Sequence, residues 1–319
     1  MKLIIQIPCY NEEKTLPLTF HDLPKSIEGI DTIEVQVIDD GSEDRTKEVA
    51  RNLGIKHIIS FKKNSGLAAA FMAGVNNALA NGADILVNTD ADNQYAGQDI
   101  IKLIEPILDG SADLVIGNRP INNHPEFSFI KKKLQKIGSW VLRKISGTNI
   151  EDAASGFRAY NKDAMLHTNV FSDFSYCMET LIQAGYNNIK ISSTDINVNP
   201  RTRESRLYKN IFQYIWKSGK TIISVFLLYR SYYLFTLLSV LMLFTGCVLV
   251  FRYIYLIIMY RSLATSFFPT IILAGILLAI SFQMYLTGIL SSLISSNRKL
   301  SEEILFRLKK NESENSEKQ

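Results

Sequence analysis

Apolar residues in the first part of the chain fall into short aliphatic runs at 3–7, 33–38, 56–59, 85–87 and 114–116. Runs of this length, rich in β-branched side chains and bounded by turn residues, predict buried strands. Between them the pattern takes on a helical period. Ser42 is placed to cap a helix that carries Glu43 and Asp44 in its first turn, with Gly54 beyond its end. Gly66 opens a small-residue helix over 67–80, and Gly82 lies just past it. Ile100, Ile101, Leu103, Ile104, Ile107 and Leu108 make one apolar helical face. This alternation predicts an α/β fold with a largely parallel sheet covered on both faces. No Gly-x-Gly-x-x-Gly follows the first strand, so the dinucleotide-binding fingerprint is missing.

Further along, the pattern changes. Phe127, Ile130, Leu134, Ile137, Val141 and Ile145 share a helical face, while Lys131, Lys132, Lys133, Lys136, Arg143 and Lys144 occupy the rest. Tyr208, Ile211, Phe212 and Ile215 repeat the arrangement with Lys209, Lys217 and Lys220. Ordinary surface helices can carry such a pattern, but basic amphipathic helices rich in aromatics also suit a membrane interface. The long uncharged stretches beyond residue 230 favour the interface. Residues 231–251 contain no charge, and a bilayer core needs about 20 apolar residues. The apolar run continues past Arg252 to Tyr260, and 262–297 is again uncharged.

The chain therefore divides into a cytosolic domain at 1–200, an amphipathic juxtamembrane segment at 201–230, a transmembrane hairpin within 231–297, and a cytosolic polar tail at 298–319. The two spans are expected at 231–256 and 267–290, and residues 310–319 are expected to be disordered. Basic residues flank the hairpin more heavily on its outer ends than on its short loop. This predicts a multi-pass plasma-membrane protein with both termini cytoplasmic. The apolar run at the N-terminus is too short for a signal-peptide core and reads better as a strand.

Composition adds little to this. A length of 319 residues accommodates about two domains, and a net charge of +4 gives no reason to expect nucleic acid. Cys9, Cys177 and Cys247 are scattered, with neither metal-ligand spacing nor a disulfide framework, and suit a reducing compartment.

The candidate chemistry sits where the strands stop. After the run at 85–87 the chain reads Asn-Thr-Asp-Ala-Asp-Asn-Gln-Tyr, with Asp90, Asp92 and Gln94 on alternate positions. Two carboxylates so close repel unless something positive lies between them. Hard oxygen ligands suit Mg²⁺ or Mn²⁺, which commonly bridge carboxylates to substrate phosphates. An isolated Asp-x-Asp is more often a solvated turn; here similar polar ends follow other strands. The first strand ends in Ile-Pro-Cys-Tyr-Asn-Glu-Glu and the second in Val-Ile-Asp-Asp-Gly-Ser. Ligands of open α/β sheets bind outside the carboxyl ends of the strands. Tyr10 is suited to stack on a base, and Asp39 or Asp40 to accept hydrogen bonds from a base or a ribose.

These motifs, with Ile-Gly-Asn-Arg at 116–119 and Ser-Gly-Phe-Arg-Ala-Tyr at 155–160, resemble the family 2 glycosyltransferases. More narrowly, they are similar to the polyprenyl-phosphate glycosyltransferases, the group that contains dolichyl-phosphate mannose synthase. The resemblance implies a GT-A-like nucleotide-binding domain. It also implies inverting transfer of one sugar from a nucleotide-diphosphate sugar to a polyprenyl phosphate, at a lipid bilayer and in a homo-oligomer. It assigns Pro8, Tyr10, Glu12, Asp39, Asp40 and Ala91 to the donor, and Asp90, Asp92 and Gln94 to the metal. Arg119, Ser155 and Arg158 fall near the donor and acceptor phosphates, with Asp92, Arg119 and Arg158 carrying catalysis. The family often has Arg-Gly-Glu-Ser-Lys-Leu before the juxtamembrane helix. Here 202–207 reads Thr-Arg-Glu-Ser-Arg-Leu, so either Arg201 or Arg203 is the phosphate-binding arginine of that loop. A processive polysaccharide synthase and an inactive membrane scaffold are the rival readings. One hairpin is too little to form a channel, and intact acidic and arginine motifs disfavour a scaffold.

Overall fold

The computed structural model describes residues 1–120, 140, 150, 152–170, 176–200, 211–259 and 268–316. It divides into two compact units, Met1–Ile222 with Ile304–Gln319, and Ile223–Glu303.

The first unit is built on a seven-stranded sheet. Its strands are β1 (Lys2–Cys9), β2 (Thr32–Asp39), β3 (His57–Ser60), β4 (Ile85–Asn88), β5 (Leu114–Asn118), β6 (Arg158–Asn161) and β7 (Ile191–Asp195). They lie in the order β3-β2-β1-β4-β6-β5-β7. The first four are mutually parallel, β6 runs antiparallel to β4 and β5, and β7 is parallel to β5. Every strand expected from the apolar runs is present. β6 and β7 were not anticipated, because Arg-Ala-Tyr-Asn and Ile-Ser-Ser-Thr-Asp carry too few aliphatic side chains to register as strands. Tertiary pairing makes them strands.

Helices α1 (Leu16–Asp22), α2 (Thr46–Asn52), α3 (Leu67–Ala80), α4 (Ile100–Leu108), α5 (Lys162–His167) and α6 (Tyr176–Tyr186) accompany the sheet. Leu3, Ile5 and Ile7 join one core with Leu103, Ile104 and Ile107 of α4. Gln6, on the opposite face of β1, meets the Phe71 carbonyl of α3, so both faces are covered, as alternation within a parallel sheet requires. Two expectations are corrected in detail. Ile101 stands off the buried face of α4. Ser42 does not cap α2: that helix starts at Thr46, and the Ser42 hydroxyl instead accepts the Asn11 N–H at 2.9 Å.

Two long helices come next, α7 (Ile211–Met259) and α8 (Phe268–Ser316). Both contain stretches long and apolar enough to cross a membrane. Within the second unit they pack through small residues. Ser281 Oγ donates to the Ser239 carbonyl at 2.9 Å, and a β-carbon on Gly246 would lie 2.9 Å from Leu278 Cδ2. Small side chains and interhelical hydrogen bonds are the usual means by which apolar helices associate in lipid. Phe244, Phe251 and Ile258 are 69%, 71% and 73% exposed; surface of that kind is not what a soluble core helix presents.

The polar tail differs from expectation: α8 continues as helix to Ser316. Arg298 and Glu302 pair across one turn at 2.8 Å. Phe306 and Lys309, one turn apart, both reach the end of α5. The Phe306 ring packs 4.2 Å from that of His167, and Lys309 Nζ donates to the Thr168 carbonyl at 2.8 Å. Apart from residue 140, the basic amphipathic stretch at 127–145 lies outside the described residues, as do Arg201 and Arg203, whereas 211–220 is helical as part of α7.

Candidate active site

Strand direction decides which residues can meet. β1, β2, β3, β4, β5 and β7 end on one edge of the sheet, and the antiparallel β6 begins there. Seven chain segments therefore meet at that edge.

The loops after β1 and β2 interlock. Asn11 N–H donates to Ser42 Oγ, Glu12 N–H to Thr46 Oγ1 at 2.8 Å, and Glu43 N–H to Asn11 Oδ1 at 2.8 Å. Pro8 is buried two residues past Gln6, the last β1 residue paired with β4, so its missing N–H removes no bond from that ladder. Tyr10 stands exposed beyond it. Glu12 is buried, and its carboxylate accepts the Thr15 hydroxyl at 2.6 Å. As placed, it braces the loop that follows β1.

Asp39 and Asp40, alternatives by sequence, differ in this structure. Both oxygens of Asp40 accept backbone N–H groups, from Ser65 at 2.7 Å and Gly66 at 2.9 Å, tying down the start of α3. Asp39 Oδ1 accepts the Ser42 N–H at 2.9 Å, and its second oxygen accepts none among the described residues. Asp39 is the better placed to take a ligand donor. Gly41 between this pair and Ser42 is obligatory: its φ is +70°, and a β-carbon would lie 2.5 Å from the Lys63 carbonyl carbon.

After β4, Asp90, Asp92 and Gln94 are all half-buried. Gln94 N–H donates to Asp92 Oδ1 at 3.2 Å, and Asn93 takes a left-handed conformation with φ 54°. The Gln94 side-chain amide makes no hydrogen bond among the described residues. Ala91 is buried, and its carbonyl accepts the Thr19 hydroxyl at 3.1 Å, so it anchors the loop by its backbone. Asn199 secures the far side, donating its N–H to the Gln94 carbonyl at 2.8 Å and its amide to the Asn93 carbonyl at 3.1 Å. It lies two residues before Arg201 in sequence. No group of three or more His, Cys, Asp or Glu gathers among the described residues. Two carboxylates and an amide oxygen still fit a hard divalent ion, because Mg²⁺ is commonly held by one or two carboxylates plus substrate phosphates.

Arg119, just past β5, forms a fork with Asp152: Nε lies 2.6 Å from Oδ2 and the terminal NH2 lies 3.0 Å from Oδ1. Asp152 is fully buried and Arg119 is not. Burial works against the Arg119 charge, but the Asp152 carboxylate outweighs it, aided by Asp90, and the guanidinium titrates above its ordinary value. Sequence reasoning missed Asp152, since a lone Asp with no fixed spacing to an arginine gives no signal. It also missed Tyr95, which stacks on Phe157 with ring centroids 5.0 Å apart and accepts the Gly156 N–H at 3.2 Å. Burial holds the Tyr95 phenol above its ordinary value, so it stays neutral.

Arg158 differs from Arg119 in its setting. It is fully buried, and its guanidinium donates to the Ser155 carbonyl, the Ala153 carbonyl and Thr180 Oγ1, each at 2.8 Å. As placed, it ties the 152–156 loop to Thr180 of α6. Its position as the first residue of β6 fixes its side chain among the neighbours of the sheet. Ser155 is likewise fully buried, and its hydroxyl has no hydrogen-bond partner among the described residues.

Residues 4–167 match the family described as Glycosyl transferase family 2. A UDP-N-acetylglucosamine–dolichyl-phosphate N-acetylglucosaminyltransferase of Methanococcus voltae is 31% identical over 219 residues, spanning 60% of this chain and 82% of that protein. A dolichol-phosphate mannosyltransferase of Pyrococcus furiosus is 33% identical over 226 residues, spanning 67% of this chain and 62% of that protein. Among solved structures, glucosyl-3-phosphoglycerate synthase of Mycobacterium tuberculosis, in complex with Mn²⁺, uridine diphosphate and glucosyl-3-phosphoglycerate, superposes with a TM-score of 0.54. Its identity is 18%, over 70% of this chain and 78% of that one.

Proposed function

We propose that this chain, which belongs to glycosyltransferase family 2 and has a GT-A-like fold, moves one sugar from a nucleotide-diphosphate sugar to a polyprenyl phosphate at the cytoplasmic membrane face. The observation that carries this reading is the acidic pair Asp90 and Asp92 at the end of β4 in a chain whose α7 and α8 expose long apolar surfaces. The relatives named above act on dolichyl phosphates, which supports the lipid acceptor.

Tyr10 and Asp39 hold the nucleotide, the first by stacking and the second through its remaining oxygen. Asp90, Asp92 and the Gln94 amide would hold Mg²⁺ or Mn²⁺, which supplies charge stabilisation to the leaving diphosphate. Arg119 adds a fixed positive charge beside it, oriented by Asp152. An acceptor phosphate is already anionic near neutral pH, so attack on the anomeric carbon with inversion needs little or no general base. Catalysis then rests on placement and on charge stabilisation. Either Arg201 or Arg203 supplies a further phosphate contact.

The test is a screen of radiolabelled nucleotide sugars against the full-length protein in membranes, with short polyprenyl phosphates as acceptors. One labelled sugar per extracted lipid phosphate is expected. Polymeric label indicates a processive synthase, and nucleotide hydrolysis without labelled lipid contradicts the acceptor. For topology, a cysteine at position 262, in a chain lacking the native cysteines, should react with an impermeant thiol reagent outside intact cells, whereas one at 316 should not.

A further inference from the structure

A buried polar chain runs from the middle of the sheet to the active-site edge, and transfer chemistry as described does not use it. Asn88, the last residue of β4, is fully buried. Its Oδ1 accepts Gln6 Nε2 at 2.7 Å, and its Nδ2 donates to the Gly156 carbonyl at 2.8 Å and to the Tyr176 hydroxyl at 2.9 Å. Gln6 Oε1 in turn accepts Gln36 Nε2 at 3.2 Å, and Gln36 Nε2 also donates to the Gly74 carbonyl at 2.8 Å. Tyr176 is fixed by stacking on Phe71, centroids 4.1 Å apart.

An apolar residue of similar shape would satisfy the core at less risk, because a half-satisfied buried amide is costly. What the amide adds is a link between two particular backbones. Asn88 lies two residues before Asp90, and Gly156 belongs to the loop that begins at Asp152, the partner of Arg119. The two loops pass so closely that a β-carbon on Gly156 would lie 3.4 Å from Asp90 Oδ1 and 2.9 Å from the Tyr176 hydroxyl. Gly156 lets the loops approach, and Asn88 with Tyr176 sets how closely.

We infer that Asn88 is a positioning residue: with Tyr176, it fixes the Asp90 carboxylate relative to the 152–156 loop, and so the affinity of the acidic pair for a divalent cation. This rests on the metal-binding reading above. The probe is Mn²⁺ alone, titrated into full-length protein in detergent and followed by the EPR signal of free Mn²⁺, with thermal melting in parallel. Asn88→Ala is expected to weaken Mn²⁺ binding by roughly tenfold or more, the equivalent of one lost buried polar contact. Tyr176→Phe removes only the hydroxyl and should weaken binding in the same direction by a smaller factor while leaving melting near that of the parent. In transfer assays both variants should need more Mn²⁺ for half-maximal rate, with the saturated rate less affected. If the parent binds Mn²⁺, Asp90→Ala abolishes binding, and Tyr176→Phe and any folded Asn88→Ala bind as the parent does, the positioning role is overturned and the metal reading stands. If the parent binds no Mn²⁺, both fall together.

Discussion

At the amino end of the parallel strands, the Glu34 carboxylate lies 2.8 Å from Lys2 Nζ, 3.0 Å from His57 Nε2 and 3.3 Å from Lys56 Nζ. At the carboxyl end, Asp39, Asp40 and Asp92 accept backbone N–H groups of the loops around them. Glu34 meets side-chain partners, whereas these three aspartates meet fixed peptide dipoles. Lysine partners neutralise a carboxylate and leave it inert. Backbone donors orient it without cancelling its charge, so it can still attract a cation or a ligand N–H.

Substitutions should break this contrast to very different degrees. The largest effect is expected for Asp92→Ala: a fall in transfer of at least about a hundredfold, as for loss of a principal charge-stabilising group. The melting temperature should stay near that of the parent. An active Asp92→Ala protein would remove the acidic pair from the chemistry.

Next in size is Asp152→Ala, which strands Arg119 without its partner. Breaking a buried pair costs about 3–5 kcal/mol, so both melting temperature and transfer rate should drop. Parallel calorimetry and rate measurements would show it. A loss of rate with unchanged melting would mean that Asp152 acts on substrate directly.

Arg158→Lys should act on the fold first. Lysine keeps the charge but cannot reach Ser155, Ala153 and Thr180 as a planar fork does. Melting is expected to fall by several degrees, as for a loss of about 1–3 kcal/mol. Normal melting with lost activity would point to a direct phosphate role.

The smallest effect belongs to Glu34→Gln, at the other end of the sheet. Burial raises the Glu34 pKa, but Lys2, His57 and Lys56 outweigh it and bring the carboxyl to about 2. Its folded pKa is depressed, so its stabilisation is complete above the unfolded value near 4.5 and is lost as pH falls through about 2. The partners are partly exposed, which limits the contribution to about 1 kcal/mol. Melting curves of parent and variant should differ at pH 7 and converge near pH 2, with transfer at neutral pH unchanged.

Much of this contrast was legible in the sequence. Aliphatic runs located β1 to β5, and the uncharged stretches located α7 and α8, because burial and lipid each impose a period or a length. The carboxylates at the strand ends were legible for the same reason: once a strand is placed, its carboxyl end is placed too. β6 was not, because its four residues have no periodic signal, and with it went the full burial of Arg158 and its hydrogen bonds to Ser155, Ala153 and Thr180. Asp152 and Asn88 were invisible because their partners, Arg119 and Gly156, are distant in sequence and meet only through the sheet order. The helical tail was misread because polarity alone does not distinguish a disordered end from a helix held by a few contacts such as those of Phe306 and Lys309.

The most direct test of the carboxyl end as a metal–diphosphate site is transfer to lipid phosphate in one membrane preparation, measured before EDTA, in excess EDTA, and after Mn²⁺ is restored. Labelled lipid should form, cease in chelator and return with the metal. Undiminished formation of labelled lipid in excess chelator would contradict the account.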